Sequence, residues 1–176
     1  PAELRTMPVD VVWFKKDLRT RDHAPLLSAS LSGSPVICLF ILEPERLELD
    51  DIDPIHVQWE LDCATDLSVA LKALGADLHF AVGDAVSVME DFDKRYGIGR
   101  LLSHEETGNS WSFQRDKRVL SWCRNKGIEW AEYPHNGVVR RLGTRDEWKR
   151  RRDKRMREPL SDAPFFSEGI QFGGEI

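Results

Sequence analysis

Apolar positions along the chain follow two alternating rhythms, short continuous runs and longer stretches at helical spacing. Val9 to Phe14 is a β-branched and aromatic run closed by Lys15-Lys16-Asp17, the pattern of a buried strand entering a loop. Asp22 is placed to cap a helix through Leu31, with Pro25 in its first turn and Ala24, Leu27 and Leu31 on one face. Ser32-Gly33-Ser34-Pro35 stops that helix, and Val36 to Leu42, apolar throughout, reads as a central parallel strand. Cys63, Leu67, Ala70, Leu71 and Leu74 repeat at helical spacing, so a helix is predicted from Ile55 to Leu74, closed by Gly75. Asp77 to Val82 is the third strand. A helix capped by Asp84 then turns Ala85, Val88, Met89, Phe92 and Tyr96 inward. Arg100 to Ser103 is the fourth strand, and Asn109 to Lys126 a helix with Val119, Trp122 and Cys123 as inner positions. Ile128 to Glu132 is the fifth strand. Strand and helix alternate five times, which predicts an α/β fold: a five-stranded parallel sheet, Rossmann-like and doubly wound, order 3-2-1-4-5, with helices on both faces.

Composition narrows this picture. A chain of 176 residues, 41% hydrophobic and 31% charged, suits one globular unit. Its longest apolar run, Val36 to Leu42, falls well short of the roughly 20 residues a membrane-spanning helix needs, so no membrane partner is expected. No apolar segment follows a basic start, no leader is visible, and a cytoplasmic protein is expected. Cys38, Cys63 and Cys123 are few and far apart, against both a disulfide framework and a structural zinc site. The net charge of -5 hides an asymmetry: residues 140–157 hold ten basic side chains against three acidic ones. For this segment three readings stand: a solvated helix face, a docking surface for a partner domain, or contact with DNA phosphates, Arg150, Arg151 and Arg152 being the candidates. After Pro159 the periodicity is lost, so 1–158 is read as the domain and 159–176 as a linker or extended arm.

In parallel sheets of this kind ligands bind beyond the carboxyl ends of the strands, which gives weight to three polar loops. They are Lys15 to His23, Glu43 to Arg46, and His104 to Trp111. The plainest account of the first is that Asp17, Arg19 and Asp22 pair together and cap the following helix. For Glu43, Glu105 and Glu106 it is solvated or capping carboxylates. Neither a dinucleotide fingerprint nor a phosphate loop follows any strand. The histidines His23, His56, His79, His104 and His135 lack a helical ligand spacing, and only His104 is followed by paired acids, Glu105 and Glu106, so a metal site is not expected. A serine nucleophile elbow is also missing.

The run Val12-Trp13-Phe14-Lys15-Lys16-Asp17-Leu18-Arg19-Thr20-Arg21-Asp22-His23 resembles the opening signature of the DNA photolyase and cryptochrome family. Glu43-Pro44-Glu45, Thr107-Gly108-Asn109, Arg115-Asp116, Gly127-Ile128, Arg140-Arg141-Leu142 and Arg145-Asp146 extend the likeness over about residues 8 to 160. Lys15 stands where the family usually has Arg, and His23 where it usually has Asn. The resemblance implies an N-terminal α/β domain that holds an antenna pigment: a reduced folate, a deazaflavin or another flavin. It also implies a helical domain, outside the likeness, that holds FAD and the pocket for damaged DNA. The parent would be a light-driven lyase or a blue-light sensor, with no catalytic residue in this chain. Phe14, with Ile41, would wall the pigment, while Lys15, Asp17, Glu43, Glu106 and Asn109 would orient it. Trp13, Trp122 and Trp130 are expected in the core rather than in an electron-transfer chain. The rival reading is a free-standing α/β module that binds a nucleotide or a protein partner, without repair activity.

Overall fold

A computed structural model describes residues 7–140 and 142–166. Five strands, β1 (Val9–Phe14), β2 (Val36–Leu42), β3 (Leu78–Val82), β4 (Ile98–His104) and β5 (Glu129–Tyr133), form one parallel sheet in the order β3-β2-β1-β4-β5. This is the expected order. The helices are α1 (Ala24–Ser30), α2 (Pro44–Leu47), α3 (Pro54–Ala73), α4 (Ala85–Tyr96), α5 (Ser110–Lys126) and α6 (Trp148–Met156), with a 3-10 turn at Arg145–Glu147. The fourth strand is longer at both ends than its apolar run, because Ile98 and Gly99 precede a charged residue that the sheet nevertheless accepts. That residue, Arg100, donates to Asp10 Oδ1 at 3.0 Å on β1, so the two charges in the sheet answer each other.

Successive side chains on a strand face opposite ways, and this divides the core in two. Val11, Trp13, Leu39, Ile41 and Leu101 pack beneath α4 and α5 with Met89, Phe92, Val119 and Cys123. Val12, Phe14, Cys38, Phe40 and Leu102 pack beneath α1 and α3 with Leu26, Ala64, Leu67 and Leu71. Asp53, Asp84 and Asn109 cap α3, α4 and α5, each accepting from backbone N–H groups of its first turn. The helix α1 departs from expectation. Its cap is His23, whose Nδ1 accepts from the Leu26 N–H at 3.1 Å, whereas Asp22 lies one residue earlier with φ at 51°.

The stretch after Pro159 is not a free linker over the residues described. Phe166 is 7% exposed and belongs to the α1/α3 core, and its N–H donates to the Leu74 carbonyl at 2.8 Å. Ser161 accepts from the Asp22 N–H at 2.8 Å. Gly75, at φ +84°, makes room: a Cβ there would lie 2.4 Å from the Phe166 carbonyl oxygen. The described part of the stretch thus packs against the domain, and the rest of the expected linker lies outside the described residues. The basic segment forms α6, with none of its residues buried. It is held by the Trp148 Nε1–H donating to the Gly137 carbonyl at 3.1 Å and by Arg152 lying over the Trp148 ring at 5.7 Å.

Candidate functional site at the carboxyl rim of the sheet

Strand order reverses between β1 and β4, and the residues that follow those strands meet above the reversal point. At the centre is Arg115, on the inner face of α5. Its guanidinium donates to Glu43 at 2.8 Å, to Asp116 at 2.9 and 3.1 Å, and to Glu106. It lies over the rings of Trp13 at 4.8 Å and Trp111 at 5.4 Å. Lys15, directly after β1, places its ammonium 3.6 Å from Asp116 and 4.0 Å from Glu106, above Trp13 and Trp130. Two cations and three carboxylates are thus enclosed together.

The enclosure sets their ionisation. Burial alone would depress the Arg115 pKa, but Glu106, Asp116 and Glu43 hold it above the usual arginine range. Burial would raise Glu106, and Arg115 and Lys15 overcome it, so that carboxyl sits below its ordinary value. For Glu43 burial wins over Arg115, and its pKa is raised. Two atoms of the cluster, Lys15 Nζ and Glu43 Oε1, are buried without a hydrogen-bond partner among the described residues. They line a recess, with Trp13, Ile41, Arg46 and Glu60, whose free space of about 10 Å³ is room for one water.

Beside it opens a larger cleft of about 210 Å³, lined by Lys15, Lys16, Asp17, His104, Glu105, Glu106, Thr107, His135 and Asn136. Asp17 does not pair with Arg19. Its Oδ2 accepts from His23 Nε2 at 2.8 Å and from His104 Nδ1 at 2.6 Å, and its Oδ1 accepts from the Lys15 N–H at 2.8 Å. Burial would raise its pKa, yet these bonds, chiefly those from His104 and His23, hold the carboxyl well below the usual range. Arg19 instead donates to the Asp22 and Arg21 carbonyls and to His135 Nε2 at 3.0 Å.

Asp17, His23 and His104 also bring three possible metal-ligand atoms within 4.8 Å of one another, all buried. Sequence spacing gave no hint of this group. The donor set does not fit a metal. A ligating histidine donates through its other nitrogen, and the other nitrogen of His23 is already accepting from the Leu26 N–H. A metal on Nε2 would move the ring proton to Nδ1 and set it against that donor. The three residues are a hydrogen-bonded lock that ties the loop after β1 to the end of β4 and the start of α1.

Of the residues singled out from sequence, Lys15, Asp17, Glu43 and Glu106 are brought together at this rim. Phe14 borders the recess, with its side chain fully buried on the α1/α3 face, 4.6 Å from the His23 ring. Asn109 spends its amide elsewhere, accepting from the Ser112 N–H and donating to Asp51 at 2.9 Å. Glu43 and Glu106 are ion-paired rather than solvated, while the half-buried Glu105 faces Arg140 at 3.9 Å. Arg115, Asp116, His23 and His135 carry as much of the site, although no local sequence pattern marks them as pocket residues.

Fold and site together define an open α/β domain with a polar cleft at its topological switch point. The DNA photolyase family model matches residues 10–144, and the chain belongs to that family. It is 36% identical over 128 residues to the deoxyribodipyrimidine photo-lyase of Agrobacterium fabrum, covering 71% of this chain and 25% of that protein. It is 28% identical over 112 residues to the cryptochrome DASH of Gloeobacter violaceus, covering 60% of this chain and 22% of the relative. The chain therefore spans about a quarter of the curated relatives it matches. In structure it resembles a bacterial class III photolyase from Agrobacterium tumefaciens, with TM-score 0.74 at 23% identity over 99% of this chain and 38% of that one. It also resembles an archaeal photolyase from Sulfolobus tokodaii, described with two FAD molecules and the implication of a novel light-harvesting cofactor. That match has TM-score 0.73 at 20% identity, over 90% and 37% of the two chains. The fold is that of the family's N-terminal α/β domain.

Proposed function

We propose that this protein is the antenna domain of a photolyase or cryptochrome, and that the rim above β1 and β4 holds a flat pigment: a reduced folate, a deazaflavin or another flavin. The observation that carries the reading is that two buried atoms, Lys15 Nζ and Glu43 Oε1, have no hydrogen-bond partner among the described residues, beside an open cleft at the switch point. A buried polar atom without a partner costs about 1–3 kcal/mol, and a ligand or water that pairs with it recovers that cost. Lys15 supplies a donor for a ring carbonyl or an acidic tail, and Glu43 pairs with a ring N–H or hydroxyl. The archaeal photolyase that shares this fold, described with two FAD molecules and an implied light-harvesting cofactor, supports the reading.

In this reading the chain itself performs no bond-making step. FAD and the lesion pocket belong to the helical domain that the longer relatives carry, and damaged DNA meets this chain through the exposed Arg150, Arg151 and Arg152 of α6. The three unpaired thiols suit the reducing cytoplasm. The test is titration of the 176-residue protein with riboflavin, an 8-hydroxydeazaflavin and a reduced folate, followed by quenching of tryptophan fluorescence. Saturable binding of at least one, weakened about tenfold or more by Lys15→Met, is expected, that being the worth of one charge-assisted hydrogen bond. Absence of binding by all three would favour the free-standing partner-binding module.

A further inference from the structure

The larger cleft contains two histidines whose protons are fixed by their neighbours. His104 and His135 stack with ring centroids 5.1 Å apart and planes 24° from parallel. Asp17 is an acceptor only, so His104 carries a proton on Nδ1. Its Nε2 makes no hydrogen bond with any described residue, although the side chain is only 3% exposed. Arg19 is a donor only, so His135 Nε2 is an acceptor and the ring proton lies on Nδ1. One ring thus offers the cleft a free lone pair and its neighbour a free N–H. Lys16, whose side chain is 56% exposed, lines the same cleft and adds a mobile donor.

We propose that His104 determines the ligand specificity of this cleft: its Nε2 accepts a hydrogen bond from the lactam N–H of a heteroaromatic ring, while His135 or Lys16 donates to the adjoining carbonyl. The inference rests on the reading of the rim as a pigment site and adds the chemical edge that is recognised. An N–H beside a C=O is shared by pterin, flavin and deazaflavin rings. The rigidity of the recognition comes from the Asp17 lock, since the carboxylate fixes the His104 tautomer and His23 fixes the carboxylate. Burial, opposed by Asp17, holds the His104 pKa below its ordinary value, so the Nε2 lone pair is available at neutral pH. Glu105 and Glu106 face the same space, and a ring that placed its carbonyl toward them would meet like polarity.

The experiment compares riboflavin with 3-methylriboflavin, in which the lactam N–H is replaced by N–CH₃, by equilibrium binding to the wild-type chain and to His104→Leu. The wild type should prefer riboflavin by about tenfold or more, and His104→Leu should bind the two within about twofold, since one hydrogen bond has been removed from the comparison. Should the Leu variant fail to fold, ¹⁵N spectra of histidine-labelled wild type decide: the His104 Nε2 resonance moves upfield with riboflavin and stays in place with the methylated ring. Equal binding of both flavins by the wild type, or a preference that survives in His104→Leu, overturns the role of His104 and leaves the pigment site standing. Failure of the wild type to bind either flavin overturns the role of His104, and failure to bind the deazaflavin and the reduced folate as well overturns the pigment site with it.

Discussion

Asp17→Asn changes one atom in the centre of the lock, and its cost can be worked from the bonds on either side. The carboxylate is 2% exposed and accepts three hydrogen bonds, two of them at Oδ2. An amide turned one way sets its NH₂ against His23 Nε2–H, which cannot change tautomer while Nδ1 caps α1; turned the other way it meets the Lys15 N–H. Either way one buried donor is left unpaired, at about 1–3 kcal/mol, and the remaining bonds lose their charge assistance, at about 1 kcal/mol. A total near 2–4 kcal/mol is expected, a large part of the roughly 5–15 kcal/mol that holds a domain folded. Urea unfolding at pH 7 measures it, with the m-value unchanged.

The pH dependence supplies the second arm. The folded-state pKa of Asp17 is depressed, so its contribution is complete above the unfolded value of about 3.9 and is lost as pH falls through the folded pKa. Wild type and variant should therefore converge in stability as pH falls below the unfolded value and through the depressed folded pKa. A difference under about 0.5 kcal/mol at pH 7, or one that does not narrow in acid, would refute the lock.

Four further outcomes are expected. Arg115→Met leaves three enclosed carboxylates without their guanidinium and should cost about 3–5 kcal/mol; Arg115→Lys should recover little, because one ammonium cannot reach three acids. Glu43→Gln should leave the melting temperature at pH 7 unchanged or higher, and Glu106→Gln should lower it, since burial penalises the first charge while Arg115 and Lys15 favour the second. His104 and His135 have depressed folded-state pKa values, so wild-type stability should begin to fall as pH drops below about 6.5, before Asp17 titrates. Phe166→Ala should cost about 3 kcal/mol and speed proteolysis after residue 158, and Gly75→Ala should do the same by displacing the Phe166 carbonyl.

The strands and the long helices were legible because each is written locally. The run Val9–Phe14 and the cap Asp84 need no partner from elsewhere in the chain to be read. The interior of the site was not, because it is made of contacts across the sequence: Asp17 meets His104 across 87 residues and Arg115 meets Glu43 across 72. One signal was present. The inner stripe of α5 through Val119, Trp122 and Cys123 continues back to Ser112, Arg115 and Asp116, so a charged pair falls on the core-facing phase of a helix. His23 escaped notice as a cap because Asp22 is the commoner residue type for that role. The arm to Phe166 carries no periodicity, and it is fixed by backbone bonds that side-chain patterns do not encode.

The central claim, that the rim above β1 and β4 is the ligand site of this domain, is tested most directly by mapping amide chemical shifts of the ¹⁵N-labelled protein during titration with riboflavin. The account predicts saturable shifts confined to Lys15–Asp17, Glu43, His104–Thr107 and His135–Asn136, with the edge strand β3 and the helix α1 unmoved. Saturable shifts that cluster at β3 or beside α1, with the loops after β1 and β4 silent, would contradict it.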